Sequence, residues 1–408
     1  MNILSLNAGS STLKFDLYAV DEPRPAGGGD LARRAGGVVE RLGTPEAALV
    51  VTGPDGPPRS EPVPGASAAR ATALVLDRLG AMAGGGSGGP VVDAIGCRVV
   101  HGGDRFSEAT VVTADVVAAV RDLGALAPLH NPLDADVLEA CRRREPPVPV
   151  VAVFDTAFHR SLPEVARLYA VPLDLAGEHK LRRYGFHGIA HGQVSAQLLT
   201  LLGVRGAASR AVTCHLGNGA SLCAVRGGRS VDTTMGLTPM EGLVMGTRSG
   251  DVDPGLVLHL LRALGKTADE VDDLLNRKSG LLGLSGRSAD VRDLERAAAG
   301  GDARAELALD VFAYRAAKGV GAYAAALEGL DAIAFSGGIG EHSAGMRRRI
   351  CRRLSFLGLG LDDARNVQAL AARPTRISAD GARVEAWVIP ADENAEIARE
   401  TRGILRRS

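Results

Sequence analysis

Short apolar runs alternate with stretches of helical period along the whole chain. Runs at 3–6, 13–20, 94–100, 148–154, 211–215, 221–225 and 332–335 have strand length. Apolar positions three and four apart predict helices over 113–123, 188–202, 254–264, 302–328 and 393–405, the longest placing Ala313, Ala316, Ala317 and Val320 on one face. Interleaving of the two patterns predicts an α/β protein rather than separate all-α and all-β parts. Pro/Gly-rich tracts at 21–30, 53–65 and 84–90 read as loops or connectors.

Two strand-turn-strand patterns resemble each other: Leu6-Asn7-Ala8-Gly9-Ser10-Ser11-Thr12-Leu13 and Leu216-Gly217-Asn218-Gly219-Ala220-Ser221-Leu222. Each reads as a hairpin with a small polar tip. A second pair, Asp93-Ala94-Ile95-Gly96 and Asp331-Ala332-Ile333-Ala334, runs on into Gly102-Gly103 and Gly337-Gly338. Together they suggest a duplicated domain, and 408 residues suffice for two or three domains at about 150 each.

Charge narrows the function. Lys+Arg 47 against Asp+Glu 47 leaves no net charge, which argues against nucleic-acid and membrane-surface partners. Only five of the cations are lysines, so a retained one such as Lys14 is informative. The five cysteines form no C-x-x-C pair, which suggests reduced thiols and a cytoplasmic location. The most apolar run, 148–154, is interrupted by Pro149 and is far shorter than the roughly 20 residues of a membrane helix. The N-terminus carries no secretory pattern.

Three tempting motifs fail. Gly265-Lys266-Thr267 lacks the earlier glycine of a phosphate-binding loop, since Leu260 stands there. Gly84, Gly86 and Gly89 satisfy G-x-G-x-x-G inside a low-complexity run that reads as a flexible connector. His187 and His191 have the spacing of two ligands on one helix face, but Gly188-Ile189-Ala190 between them lacks the glutamate of a zinc protease.

The surviving candidates lie at strand ends, where α/β sheets gather their ligands. Asn7 opens a turn whose hydroxyls, backbone N–H groups and nearby Lys14 suit phosphate oxygens. Arg98 and His101, His130 in Pro128-Leu129-His130-Asn131-Pro132, and Asp155 after the run ending at Phe154 are further candidates. Residues 235–254 mix apolar residues, glycines and Arg248 without clear period, as expected of a structured functional loop.

These motifs, in this order, resemble the acetate and propionate kinase family, part of the superfamily that also holds sugar kinases, actin and its chaperone relatives. The resemblance runs from Asn7-Ala8-Gly9-Ser10-Ser11-Thr12-Leu13-Lys14 through Tyr184-Gly185-Phe186-His187-Gly188 and His215-Leu216-Gly217-Asn218-Gly219 to Gly337-Gly338-Ile339-Gly340-Glu341 and Asp392-Glu393. Residues 20–90 match poorly. It implies two duplicated ribonuclease-H-like domains, mixed five-stranded sheets with flanking helices, around an interdomain cleft. The first would be 1–157 with 391–408, and the second, 158–390, would bind nucleotide and form a homodimer.

The resemblance also implies roles. Arg98 would hold the acetate carboxylate, Arg248 would grip the transferring phosphoryl group, His187 would hydrogen-bond it, and Asp155 would orient the carboxylate or its arginine. Val100, Leu129 and Pro239 would line the methyl pocket, a role for which core packing is the alternative. Nucleotide contacts would come from Ser10, Ser11, Thr12, Lys14, His215, Leu216, Gly217, Asn218, Gly219, Asp290, Val291, Arg292, Gly338, Ile339 and His342. Asn7 and Glu393 would hold Mg2+, with Mn2+ as a substitute, and ATP/ADP and acetate/acetyl phosphate would be substrates. Thr12 stands where the family commonly has serine, His342 where it has asparagine, and Ala391 and Asn394 where it has threonine and glutamate. Propionate as acceptor, and a nucleotide-switched actin-like scaffold, are the alternatives.

Overall fold

The computed structural model describes residues 1–9, 11–20, 31–53, 57–83, 92–369 and 372–407. Ser10 and the tracts 21–30 and 84–90, with Gly84, Gly86 and Gly89, lie outside the described residues. Two compact units form, 1–157 with 392–408 and 158–391.

The first unit carries β1 (Asn2–Ala8), β2 (Thr12–Val20), β3 (Leu31–Glu40), β4 (Ala48–Thr52), β5 (Arg59–Pro62), β6 (Ala94–Val99), β7 (Thr110–Val111) and β8 (Val150–Phe154). They make one sheet in the order β5-β4-β3-β2-β1-β6-β8-β7. Alternation along β1 sends Leu4 and Leu6 into a large core with Phe15, Leu17, Val75, Leu138 and Phe154. Ile3 points the other way, onto Ala395 and Ala398 of the helix Glu393–Leu405. That helix lies close because Gly96 of β6 has no side chain: a Cβ there would run into Thr401 and Ile397.

The second unit carries β9 (Arg210–Leu216), β10 (Ala220–Arg226), β11 (Arg229–Thr233), β12 (Ala332–Ser336), β13 (Thr375–Arg376) and β14 (Glu385–Val388) in the order β11-β10-β9-β12-β14-β13. The helix Ala303–Ala326 packs on β9 and β10 through Ala313, Ala316, Ala317 and Val320, all buried. Asp302 caps it by accepting from the Arg304 and Ala305 amides at 3.0 and 3.1 Å.

A duplicated plan is visible in the pairing. β3-β2-β1-β6-β8 and β11-β10-β9-β12-β14 have the same order, two antiparallel pairings followed by two parallel ones. The five-stranded sheets expected from sequence are these cores, and the full sheets are larger because β4, β5 and β7 extend one and β13 the other. One expectation is corrected: the tract 53–65, read as a connector, contains β5, which pairs with β4 through its backbone from the sheet edge. Thr267 of the rejected phosphate-loop motif caps the helix Ala268–Arg277 in a reciprocal box with Glu270.

Candidate active site

In the first unit, β1, β6 and β8 run parallel or share register, so their ends bring the turn after Ala8, Arg98 and Asp155 together. Arg98 donates from Nη1 to the Ala8 carbonyl at 3.1 Å, and from Nη2 and Nε to Asp155 Oδ2 at 2.7 and 3.2 Å. Burial alone would lower the guanidinium's pKa, but the charges of Asp155, Glu393 and Asp134 reverse this and raise it. Arg98 is thus a fixed cation in a mostly dry setting, able to receive a carboxylate.

Asn7 at the end of β1 donates from Nδ2 to Glu393 Oε2 at 2.7 Å. Glu393 begins the final helix, whose first turn is anchored to β1 and β2: the Asn394 carbonyl accepts from Ser5 Oγ at 2.7 Å, and Asn394 Nδ2 donates to Asp16 at 2.5 Å. The Glu393 carboxylate and the oxygen of the Asn7 amide, whose nitrogen donates to that carboxylate, are hard donors of the kind magnesium takes, an ion that keeps waters and needs few protein ligands. Among the described residues no group of three or more His, Cys, Asp or Glu could hold a metal alone, so such an ion would rely on substrate phosphates. In the same turn Thr12 is half-buried, whereas Ser11 and Lys14 are exposed.

In the second unit, His187 precedes the helix Gly188–Leu202 in a left-handed conformation, φ 56°. Its Nδ1 lies 2.9 Å from Ser221 Oγ, and the same hydroxyl lies 2.8 Å from His191 Nε2. His191 is fully buried, 2.7 Å from Thr213 Oγ1, and its pKa is driven well below the ordinary range by burial and by His159 and His215. It is a neutral, satisfied core histidine. The His215 ring sits 4.9 Å from that of His187, and its Nδ1 is 3.2 Å from Ser336 Oγ.

Arg248 lies in the structured loop between β11 and the helix Pro254–Arg262. Its Nη1 donates to the Pro239 carbonyl at 2.6 Å, and among the described residues no carboxylate forms an ion pair with it. Burial lowers its pKa without an opposing anion. The hairpin tip explains how close the groups come: a Cβ on Gly219 would lie 3.2 Å from Arg248 Nη2 and 3.3 Å from His187 Nε2. A side chain at 219 would fill this space between guanidinium and imidazole.

Beside that tip opens a cavity of about 680 Å³, lined by Gly217, Asn218, Asp290, Val291, Arg292, Gly338, Ile339 and His342, together with Ala289, Glu295 and Ser343. Asn218 and its tip are held to the loop by the Gly246 amide, which donates to the Asn218 carbonyl at 2.9 Å. Asp290 is held in its charged form by Arg292, which pairs with it at 2.6 Å. The volume suits a nucleoside-sized ligand.

The sequence profile of the Acetokinase family matches residues 2–399. The chain belongs to that family. It is 47% identical to the acetate kinase of Leifsonia xyli subsp. xyli, over 98% of this chain and 97% of that one. It is 45% identical to the acetate kinase of Heliobacterium modesticaldum, covering 100% of both. The crystal structure of Porphyromonas gingivalis acetate kinase is similar at TM-score 0.88, with 39% identity and 99% of each chain covered. A propionate kinase from Francisella tularensis is similar at TM-score 0.88, with 36% identity, covering 98% of this chain and 99% of that one.

Against the roles that membership in the acetokinase family suggested, the residues fall into three groups. Asn7, Arg98, Asp155 and Glu393 gather in the first unit, and His187, His215, Leu216, Gly219 and Arg248 in the second. Eight of the nucleotide candidates line one cavity. Val100 is 4% exposed at the end of β6, Leu129 is 54% exposed, and Pro239 belongs to the second unit. His101 is a structural residue, its Nδ1 accepting from the Gly103 amide at 2.9 Å and its pKa pushed down to about 4 by burial. In the Leu129-His130-Asn131 segment it is Asn131 that reaches the end of β6, accepting from the His101 amide at 3.1 Å. Asp134, Thr156, Ser221 and Glu295 were not singled out from sequence; a polar residue at the second turn position beyond Pro132 was the available sign for Asp134.

Proposed function

We propose that the protein transfers the γ-phosphoryl group of ATP to acetate, reversibly, giving acetyl phosphate and ADP. The observation that carries this reading is Arg248: a half-buried cation without a carboxylate partner among the described residues, beside His187 and the Gly217–Gly219 tip of a nucleoside-sized cavity. Acetate is already ionised at neutral pH, so no base has to remove a proton. The carboxylate oxygen attacks the γ-phosphorus in line, the bond to the β,γ-bridging oxygen breaks, and ADP leaves with that electron pair.

The difficulty is bringing one anion against another, so positioning and positive charge do the work. Arg98, fixed by Asp155 and Ala8, receives the acetate carboxylate, and Val100, Leu129 and Pro239 are the residues assigned to its methyl group. Arg248 and His187 hold the transferring group. The cavity of Asp290, Val291, Arg292, Gly338, Ile339 and His342 takes the nucleoside, and Ser10, Ser11, Thr12, Lys14, His215, Leu216, Gly217, Asn218 and Gly219 serve its phosphates. Asn7 and Glu393 are the residues to hold Mg2+, with Mn2+ able to replace it, and the ion would neutralise phosphate charge during transfer.

We further propose a cytoplasmic homodimer. Five free, buried thiols fit a reducing compartment, and no helix among the described residues is long and apolar enough to cross a membrane. Val165, Leu173 and Leu264 of the second unit are 91%, 68% and 59% exposed, apolar surface that a second copy would cover. Light scattering of the purified protein reads the mass directly.

Propionate is the second reading, favoured by the likeness to the Francisella enzyme. Val100, larger than alanine, favours the shorter acceptor. Hydroxylamine trapping after incubation with MgATP and C2, C3 or C4 carboxylates decides. Acetate should give the most acyl hydroxamate; none with any carboxylate would overturn the proposal.

A further inference from the structure

Beyond Arg98 the chain leaves β6, and four successive backbone amides donate to side chains. Val100 N donates to Asp134 Oδ2 at 2.9 Å, His101 N to Asn131 Oδ1 at 3.1 Å, Gly102 N to Thr156 Oγ1 at 3.0 Å and Gly103 N to His101 Nδ1 at 2.9 Å. Two acceptors come from the start of the helix Asn131–Arg142, and a third follows Asp155. Asn131 also grips from the other side, its Nδ2 donating to the His101 carbonyl at 2.9 Å.

Asp134 is the costly member of this set. It is 1% exposed, and its second oxygen, Oδ1, has no hydrogen-bond partner among the described residues. Burial pushes its pKa up to about 7, against the Val100 amide and Arg98, which favour the charged form, and with Asp155, which opposes it. A buried carboxyl with an unsatisfied oxygen destabilises a fold relative to an apolar residue of its size. What it does do is fix the amide of Val100, two residues from Arg98.

We infer that Asp134, seconded by Asn131 and Thr156, is a positioning residue that holds the end of β6 so that Arg98 and Val100 meet the acceptor in one fixed geometry. This rests on the proposed acetate site. A carboxylate bound by a preset fork and wall loses less freedom than one that must order them. Loss of the clamp therefore weakens acceptor binding before it touches the nucleotide.

Steady-state kinetics on two variants test it. Asp134→Asn keeps an acceptor for the Val100 amide, and its acetate KM should stay within about threefold of wild type. Asp134→Leu removes the acceptor at similar volume, and its acetate KM should rise at least about tenfold with the ATP KM within about twofold. An unchanged acetate KM in Asp134→Leu, or an equal rise in both variants, overturns the positioning role. Should Asp134→Leu fail to fold, Thr156→Val reads the same clamp: the acetate KM should rise at least about fivefold at constant ATP KM, and an unchanged value overturns the inference. A wild type that makes no acyl phosphate sinks the acetate site and this inference with it, whereas an active wild type with KM-neutral variants sinks the inference alone.

Discussion

Arg98 donates from two of its nitrogens to a single oxygen of Asp155, and from a third to the Ala8 carbonyl. Three bonds in the plane of one guanidinium fix its orientation as well as its place. Arg98→Ala should therefore raise the acetate KM and lower kcat, and Arg98→Lys should rescue little, since an ammonium cannot reproduce the fork. Initial rates at varied acetate measure both. Near-normal kinetics for the lysine variant would mean that charge alone suffices.

Arg248 has the opposite surroundings, a half-buried cation that donates to the Pro239 carbonyl and, among the described residues, pairs with no carboxylate. In the proposed reaction its positive charge would meet the charge that the transferring group spreads over its oxygens. Arg248→Ala should lower kcat at least about a hundredfold, equivalent to about 2.7 kcal/mol or more of transition-state stabilisation, with a smaller change in the ATP KM. If the loss appears in KM alone, Arg248 binds the ground state and not the transition state.

Val100 is buried, so two roles compete for it. As a wall of the acceptor pocket, Val100→Ala should shift the propionate-to-acetate ratio of kcat/KM by about ten- to a hundredfold towards propionate, since one methylene is worth about 1 to 3 kcal/mol. As core alone, it should lower Tm through a cavity cost of about 1 kcal/mol and leave the ratio untouched. Measuring both quantities on one preparation separates the roles.

Asp134 predicts a pH effect on stability. Its folded pKa of about 7 lies above the ordinary value near 3.9, so the folded state binds the proton more tightly. The corresponding stabilisation is fully present below about pH 4 and is lost as pH rises through 7. Asp134→Asn lacks this loss. Urea unfolding between pH 4.5 and 8 should show the variant gaining on wild type by on the order of 4 kcal/mol at most, with the difference levelling above about pH 8. A difference that is flat with pH would place the Asp134 carboxyl at its ordinary value.

Legibility of the fold in the sequence followed burial. β8, apolar at every position and buried throughout, is readable as a run, whereas β3 is broken by Arg33, Arg34, Gly36 and Gly37 and β5 is short and mostly polar, so neither carries such a signal. The helix Asn131–Arg142 hid behind Pro132, which reads as a turn yet fits the first turn of a helix, where no amide partner is lost. With that helix unseen, Asn131 and Asp134 had no reason to be placed at the end of β6. Strand-end residues such as Arg98 and Asp155 were visible because an apolar run aims at them. Ala289, Glu295 and Ser343 reach the cavity only through the packing of helices distant in sequence, which no local pattern encodes.

The repeated strand order has a consequence for heredity. Each half has its own hairpin, one between β1 and β2 and the other between β9 and β10, and its own candidate residues at strand ends. A change near Val100 alters one half and leaves the cavity of the other intact. On the proposed reading, choice of acid can thus drift while the handling of nucleotide is inherited unchanged.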